Sequence, residues 1–295
     1  MVSVIVGNYL LEKGIISYEQ LKDLLAAKNK VRVKLGLIAV AEGLMTQEEA
    51  DRVNNLQAVM DKRFGDIAVE RGYLTEGHVQ ALLKKQGNAY LAFAQALEDQ
   101  QLMTIDQLEQ YMIDFQVEKE MTVSEMEDLK SGDVDRILPL YIPAGCDKFM
   151  NAVGTAVRTI MRCVDNEIYL DKAMVVESCE VDNGAVQFVS GEESISFGLA
   201  GKGGALLRTA SVFGKEEFEE VNEDALDAIG ELLNCICGLY ASALSQTGIS
   251  MELLPPEFST EISTMTSDEM LVLPIHMKGE LFYVIVAMGK EIEMK

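Results

Sequence analysis

Four segments near the start of the chain repeat at a fixed interval, and that interval limits what the first third can fold into. "VGNYLLEKGIISYEQLKDLL", "LGLIAVAEGLMTQEEADRVN", "FGDIAVERGYLTEGHVQALL" and "FAQALEDQQLMTIDQLEQYM" align with Gly7, Gly36, Gly65 and Ala94 in register, 29 residues apart each time. A period of this size is the mark of a helical repeat array. Within each unit an apolar helix is predicted to end near Gly14, Gly43, Gly72 or Gln101. Two apolar residues follow, and then Ser17, Thr46, Thr75 or Thr104 stands in N-cap position. Glycine takes the left-handed C-cap and the hydroxyl accepts an amide proton from the next helix, so each unit reads as helix, tight turn, helix. Capping boxes are expected at Ser17 with Gln20, Thr46 with Glu49, and Thr104 with Gln107.

The repeat domain is predicted over residues 1–116. Residues 117–145 read as a helical extension and linker, polar at first and then broken by Gly132, Pro139 and Pro143. A second domain is predicted over residues 146–295. It begins with an amphipathic helix ("DKFMNAVGTAVRTIMRCV") and three strand-like runs ("EIYLDKAMVVES", "GAVQFVSG", "SISFGLA"). A helix from Gly203 to Phe213 and a long one from Asn222 to Ser245 come next. Three strands close the chain, "EFSTEIS", "EMLVLPIHM" and "ELFYVIVAM", the last two joined by a tight hairpin at Lys278 and Gly279. The predicted fold is an all-α helical repeat array followed by an α+β domain, with two long helices packed on an antiparallel or mixed sheet.

Charge narrows the function classes. Twenty-five basic against 48 acidic residues give a net charge of −23, which repels nucleic acid and anionic membrane. Residues 1–144 carry 15 basic and 23 acidic side chains and the remainder 10 and 25, so the second half suits a partner with a basic rim. The start, "MVSVIVGNYLLEKG", has no basic region before its apolar run, and "LFYVIVAM" is too short to span a bilayer, so a cytoplasmic location is expected. Five cysteines form no even framework, and Cys235 and Cys237 lie about 200° apart on a helix, which prevents a shared metal. With His78 and His276 as the two histidines, neither a multi-histidine metal centre nor a Ser-His-Asp triad can be assembled from this chain alone. "GLAGKGGA", residues 198–205, lacks the first glycine and the Ser or Thr of a phosphate-binding loop and reads as a turn into a helix.

One polar stripe stands out. Asn234 lies mid-helix in "DALDAIGELLNCICG", with no terminus nearby to cap. Steps of three and four residues back from it reach Glu231 and Asp227, so all three project from one face, opposite Leu226, Ile229, Leu232, Leu233 and Ile236. Such a stripe is either a solvated face or a working surface. Gly230 and Gly238 favour the second, because each costs a helix about 1 kcal/mol and needs a reason such as a close approach.

Residues 146–295 resemble the CheX/CheC/FliY family of chemotaxis phosphatases, CheX most of all. The active helix of that family carries Asp or Ser, three residues, Glu, two residues, Asn, and a Pro about twenty residues later. Here those positions hold Asp227, Glu231, Asn234 and Pro255 or Pro256, and "SISFGLAGKGGALLRTASVFG", "DAIGELLNCICG" and "LPPEF" follow the family's order. The resemblance implies two-component signalling: docking on a phosphorylated receiver domain of a CheY-type response regulator and hydrolysis of its aspartyl phosphate. Asn234 would place the attacking water, Glu231 would pair with the receiver's lysine and Asp227 would shape the edge of the contact. No cofactor of this chain's own is expected, Mg2+ being supplied by the receiver. A non-catalytic receiver-binding adaptor is the alternative, and a homodimer is among the partners this family allows.

Units two and three of the array resemble the paired 24-residue motifs of the MshEN domain of secretion and pilus ATPases, and MshEN-like repeats extend over residues 5–116. "KLGLIAVAEGLMTQEEADRVNNLQ" and "RFGDIAVERGYLTEGHVQALLKKQ" have the motif's length, and residues 58–62 supply its five-residue spacer. That resemblance implies cyclic di-GMP binding through Lys34, Leu35, Gly36, Gly43 and Gln57 in one unit and Arg63, Phe64, Gly65, Gly72 and Gln86 in the other. Glycine permits close backbone approach, and one cation per unit would face a dianionic ligand. Lys34 stands where the motif has Arg and cannot stack as a planar guanidinium does. Unit one has Ile5 and Lys28 at the Arg and Gln positions, and unit four has Ala94 and Gln101 in place of glycines, so the outer units read as structural caps. The alternative is a docking scaffold whose glycines only turn corners.

Overall fold

Cap chemistry places the helices of the first half. A computed structural model describes residues 1–60, 62–201 and 204–295; Asp61 of the spacer, and Lys202 and Gly203 at the predicted start of a helix, lie outside the described residues. The chain divides into two units, Val2–Asp133 and Val134–Lys295, the second also taking Met1. This division falls short of residue 145, where the 117–145 linker was expected to end, because Val134–Ile137 (α10) and the 3-10 turn Leu138–Leu140 pack with the second unit.

The first unit is helical throughout its described residues. Val2–Glu12 (α1) pairs with Tyr18–Lys28 (α2), Leu35–Ala41 (α3) with Gln47–Met60 (α4), Phe64–Glu70 (α5) with Glu76–Lys84 (α6), and Ala89–Asp99 (α7) with Ile105–Glu118 (α8). Val123–Ser131 (α9) follows. The expected capping boxes form at Ser17, Thr46 and Thr104. Thr75 forms a fourth, in which the His78 ring nitrogen takes the place of a Glu or Gln oxygen. The turns are left-handed at Gly14, Gly43 and Gly72, and Gln101 adopts the same conformation at φ 56° without glycine's freedom.

The units do not stack in simple order with the outer two as caps. Unit one closes on unit four: α2 packs on α7, and α1 on both α7 and α8. Tyr9 meets Phe115 edge-on at 5.0 Å, and Lys13 pairs with Glu118 at 2.5 Å. The physical reason is mutual coverage. Leu10, Leu24, Phe93, Leu97 and Leu108 are fully buried, so the apolar faces at the two ends of the array shield each other.

The second unit is α+β, with long helices on an antiparallel sheet. Its strands are Ile168–Leu170 (β1), Met174–Val181 (β2), Asn183–Gly191 (β3), Ile195–Gly201 (β4), Met251–Leu253 (β5), Glu257–Ser259 (β6), Ser263–Met277 (β7), Glu280–Met288 (β8) and Glu293–Met294 (β9). The order is β1-β7-β8-β4-β3-β5, with β2 and β9 also on β7 and β6 on β3. Met150–Cys163 (α11) packs against β8, Ala205–Gly214 (α12) against β4 and β8, and Glu223–Ser245 (α13) against β3 and β4.

Details of the sheet differ from the sequence expectation. The first predicted strand breaks into β1 and β2, which pair with different stretches of β7, and Pro274 sits where β7's neighbour changes from one to the other, a place where a missing N–H is tolerated. The run "EFSTEIS" splits between β6 and the start of β7. β7 is consequently 15 residues long, and its β2-paired half encloses a second core of Val181, Val186, Met265, Met270 and Ile285. The β7–β8 hairpin turns as expected, with φ 53° at Lys278 and 85° at Gly279.

Candidate functional site

The stripe on α13 depends on how firmly that helix is held. Asn222 caps it by accepting from the Ala225 N–H at 2.9 Å, and Glu223 and Asp224 place negative charge at its positive end. By length and composition the helix is apolar enough to cross a bilayer, a property that the unbroken-run reading missed. Its apolar face is instead spent on the sheet: Leu226, Ile229, Leu232, Leu233 and Ile236 are each no more than 1% exposed. The opposite face carries Asp227 and Glu231, both exposed, and Asn234, half-buried.

Asn234 is fixed from below. Gln187 of β3, 1% exposed, donates from Nε2 to Asn234 Oδ1 at 2.6 Å and to the Leu254 carbonyl at 2.8 Å. Asn234 Nδ2 then faces Glu231 Oε1 at 3.5 Å, at the long limit of a hydrogen bond. Leu254 is itself tied to β3 through its N–H to Phe188 O at 3.0 Å. The next turn of the same segment accounts for Gly230: a Cβ there would stand 3.1 Å from Pro256 Cγ, so the glycine lets α13 lie against the proline pair. At Gly238 a Cβ would meet open space, and no close approach explains that residue.

Just after Asn234 come two thiols in opposite settings. Cys235 is exposed, while Cys237 is fully buried and its thiol is pushed up to about 12 by that burial. Among the described residues no group of three or more His, Cys, Asp and Glu side chains could hold a metal ion. The chemistry available at the stripe is an oriented carboxamide, two carboxylates and an open face.

A second candidate site lies within the helical unit. Lys34, Leu35, Gln57, Arg63, Phe64, Gly65 and Gln86 line one cleft of about 1060 Å³. Gly36, Gly43 and Gly72 do not line it: Gly36 lies under the Phe64 ring, and the other two occupy the left-handed turns. The Lys34 ammonium is taken by Asp99 at 2.8 Å, and the Lys34 N–H donates to the buried Gln95. Gln86 Nε2 donates to the Val33 carbonyl at 2.9 Å, which bridges the two repeat units across the cleft. Arg32 and Arg63 are the guanidinium groups on the cleft, and among the described residues neither has an ion-pair partner. Sequence reasoning missed Arg32, whose only signal was a second cation two places before Lys34.

Comparison with solved structures finds CheX from Desulfovibrio desulfuricans, at 16% identity and a TM-score of 0.43, over 48% of this chain and 99% of that one. A CheX–CheY–BeF3–Mg2+ complex from Borrelia burgdorferi aligns at 18% identity and 0.38, over 48% and 96%. FliY from Thermotoga maritima aligns at 18% and 0.32, over 45% and 83%. No curated protein sequence matches the chain. Residues 183–281, from the start of β3 into β8 and including α12 and α13, match the family model for the chemotaxis phosphatase CheX, and the chain therefore carries a CheX domain over those residues.

Proposed function

We propose that the C-terminal unit dephosphorylates the aspartyl phosphate of a CheY-type receiver domain. The observation that carries this reading is the coincidence of the CheX match with an open Asp227–Glu231–Asn234 face on its long helix. In the proposed step the Asn234 amide holds a water in line with the phosphorus. The water oxygen forms the new P–O bond, the bond to the aspartyl oxygen breaks, and the proton passes to solvent, leaving aspartate and inorganic phosphate. Glu231 pairs with a lysine of the receiver, and Asp227 borders the contact. The receiver supplies Mg2+, and no nucleophile is required of this chain. The net charge of −23 suits a docking partner with a basic rim.

Separate losses test these roles. Glu231→Ala weakens binding of a beryllofluoride-activated receiver, whereas Asn234→Ala leaves binding intact and removes hydrolysis. Binding that survives Glu231→Ala unchanged, or hydrolysis that survives Asn234→Ala, sinks the assignment.

The cleft favours a second, regulatory reading: cyclic di-GMP bound between repeat units two and three. It has room for a dinucleotide, two guanidinium groups without an ion-pair partner among the described residues for its phosphates, and the Phe64 ring and Leu35 for its bases. Arg32 takes over the cationic role that the resemblance assigned to Lys34, because Asp99 already holds that ammonium. Calorimetry of the full chain with cyclic di-GMP tests it. Saturable binding that Arg63→Ala abolishes supports the site, and absence of heat, or indifference to Arg63→Ala, leaves the array a docking scaffold.

A further inference from the structure

We propose that Gln187 is a positioning residue that decides which end of the Asn234 amide faces the receiver. The inference rests on the phosphatase reading above and assigns a role to a buried side chain outside the helical stripe.

An exposed asparagine amide turns freely about a broad torsion, so a surface Asn presents its oxygen and its NH2 to the same partner in alternation. Here the ambiguity is removed by a chain of hydrogen bonds that starts at a group whose role is fixed. The Leu254 carbonyl can only accept, so the Gln187 group 2.8 Å from it is the NH2. That NH2 has a second hydrogen, and the Asn234 atom 2.6 Å away is therefore an acceptor, the Oδ1. Asn234 must then turn its own NH2 away from the sheet, toward Glu231 and the open face. The Leu254 N–H donates to the carbonyl of Phe188, the residue next to Gln187 on the same strand, so the clamp closes on itself.

The arrangement is built rather than incidental. Gln187 is 1% exposed in a strand whose neighbours Ala185, Val186 and Val189 are apolar and buried, and its Oε1 has no hydrogen-bond partner among the described residues. A buried amide with one unsatisfied end is costly, and an apolar residue of similar volume would spare that cost if packing were its only task. The consequence for the reaction is directional. An N–H of Asn234 donates to the water oxygen and leaves its other lone pair free for the phosphorus, while Oδ1 is turned inward onto Gln187 and away from that water.

The test uses the full chain and Gln187→Met, which keeps length and volume but removes both donors. Gln187→Asn, whose amide falls one methylene short of Asn234, serves if the methionine variant fails to fold. Expected is a fall of roughly 10- to 100-fold in the saturated rate of receiver dephosphorylation, with unchanged affinity for a beryllofluoride-activated receiver. A spectroscopic readout accompanies it: the Gln187 side-chain NH2 signal, assigned by its loss in the variant, is protected from solvent exchange in the wild type and shifts in Asn234→Ala. An unchanged saturated rate, or a loss of rate matched by loss of receiver affinity, overturns the proposal. So does a Gln187 amide that exchanges like an exposed one. If the wild type itself fails to accelerate decay, the phosphatase reading falls, while the NH2 signal still decides whether the clamp exists.

Discussion

Asn234→Ala carries two opposing effects on stability, and the structure gives their balance. Alanine is the better helix former by roughly 0.5–0.7 kcal/mol in a helix interior. Against this, the Gln187 amide, on a residue that is 1% exposed, loses the acceptor 2.6 Å from its Nε2. A buried donor left unsatisfied costs about 1–3 kcal/mol. The contact with exposed Glu231 is too long to alter the sum. The C-terminal unit is therefore destabilised by roughly 0.3–2.5 kcal/mol, a fall in melting temperature of about 1–10 °C for a unit of this size. Differential scanning calorimetry of the full chain reads it, with the two units fitted as separate transitions. A variant as stable as the wild type, or more stable, refutes the claim that Gln187 donates to Asn234.

The other transition is assigned by Gln101→Gly. Relief of a left-handed non-glycine conformation is worth about 1–2 kcal/mol, partly offset by the freer unfolded chain, so the helical unit gains roughly 0.5–1 kcal/mol; no gain means that the turn at φ 56° is not strained. Cys237 resists iodoacetamide at pH 8 in the native chain while exposed Cys235 reacts, as mass spectrometry of the labelled peptides will read; equal labelling contradicts the burial. Because burial raises the folded thiol to about 12 while an unfolded one ionises at about 8.5, the unfolded state sheds its proton first. Stability that is complete below about pH 8.5 therefore declines as pH rises from there toward 12, and melting temperatures that hold steady across that range contradict it. Arg32→Ala weakens cyclic di-GMP binding in calorimetry more than Lys34→Ala does, since Asp99 neutralises the lysine; the reverse order refutes the exchange of roles.

Much of the helical half was legible because cap chemistry is local. Serine, threonine and glycine at fixed offsets marked the turns before any packing was known. The Thr75 box was hidden because His78 is not the residue type that usually answers a threonine cap, and the turn at Gln101 broke the glycine rule without breaking the geometry. Closure of unit one on unit four could not be read, since a repeat says what each unit is and not which units meet. In the second half, β5 and β9 are three and two residues long, and pairing with distant strands is what makes them strands.

The polar stripe on α13 was legible from spacing, because Asp227, Glu231 and Asn234 share one helix, while the role proposed for it came from the family resemblance. What supports it was not. Gln187 lies 47 residues from Asn234 in sequence, and in isolation it is one polar residue in an apolar strand. Likewise the ion pair that engages the Lys34 ammonium at the cleft spans 65 residues, so the motif position looked free. Local patterns placed the side chains, and long-range hydrogen bonds determine which of their atoms are available.

The most direct test follows phosphate on purified, phosphorylated CheY-type receivers from the same genome, with wild-type protein and Asn234→Ala in parallel. A phosphatase of the proposed kind accelerates decay on at least one receiver, and the alanine variant returns that decay to its spontaneous rate. Decay at the spontaneous rate on every receiver with the wild type, or equal acceleration by the variant, contradicts the reading and leaves the C-terminal unit without the activity assigned to its stripe.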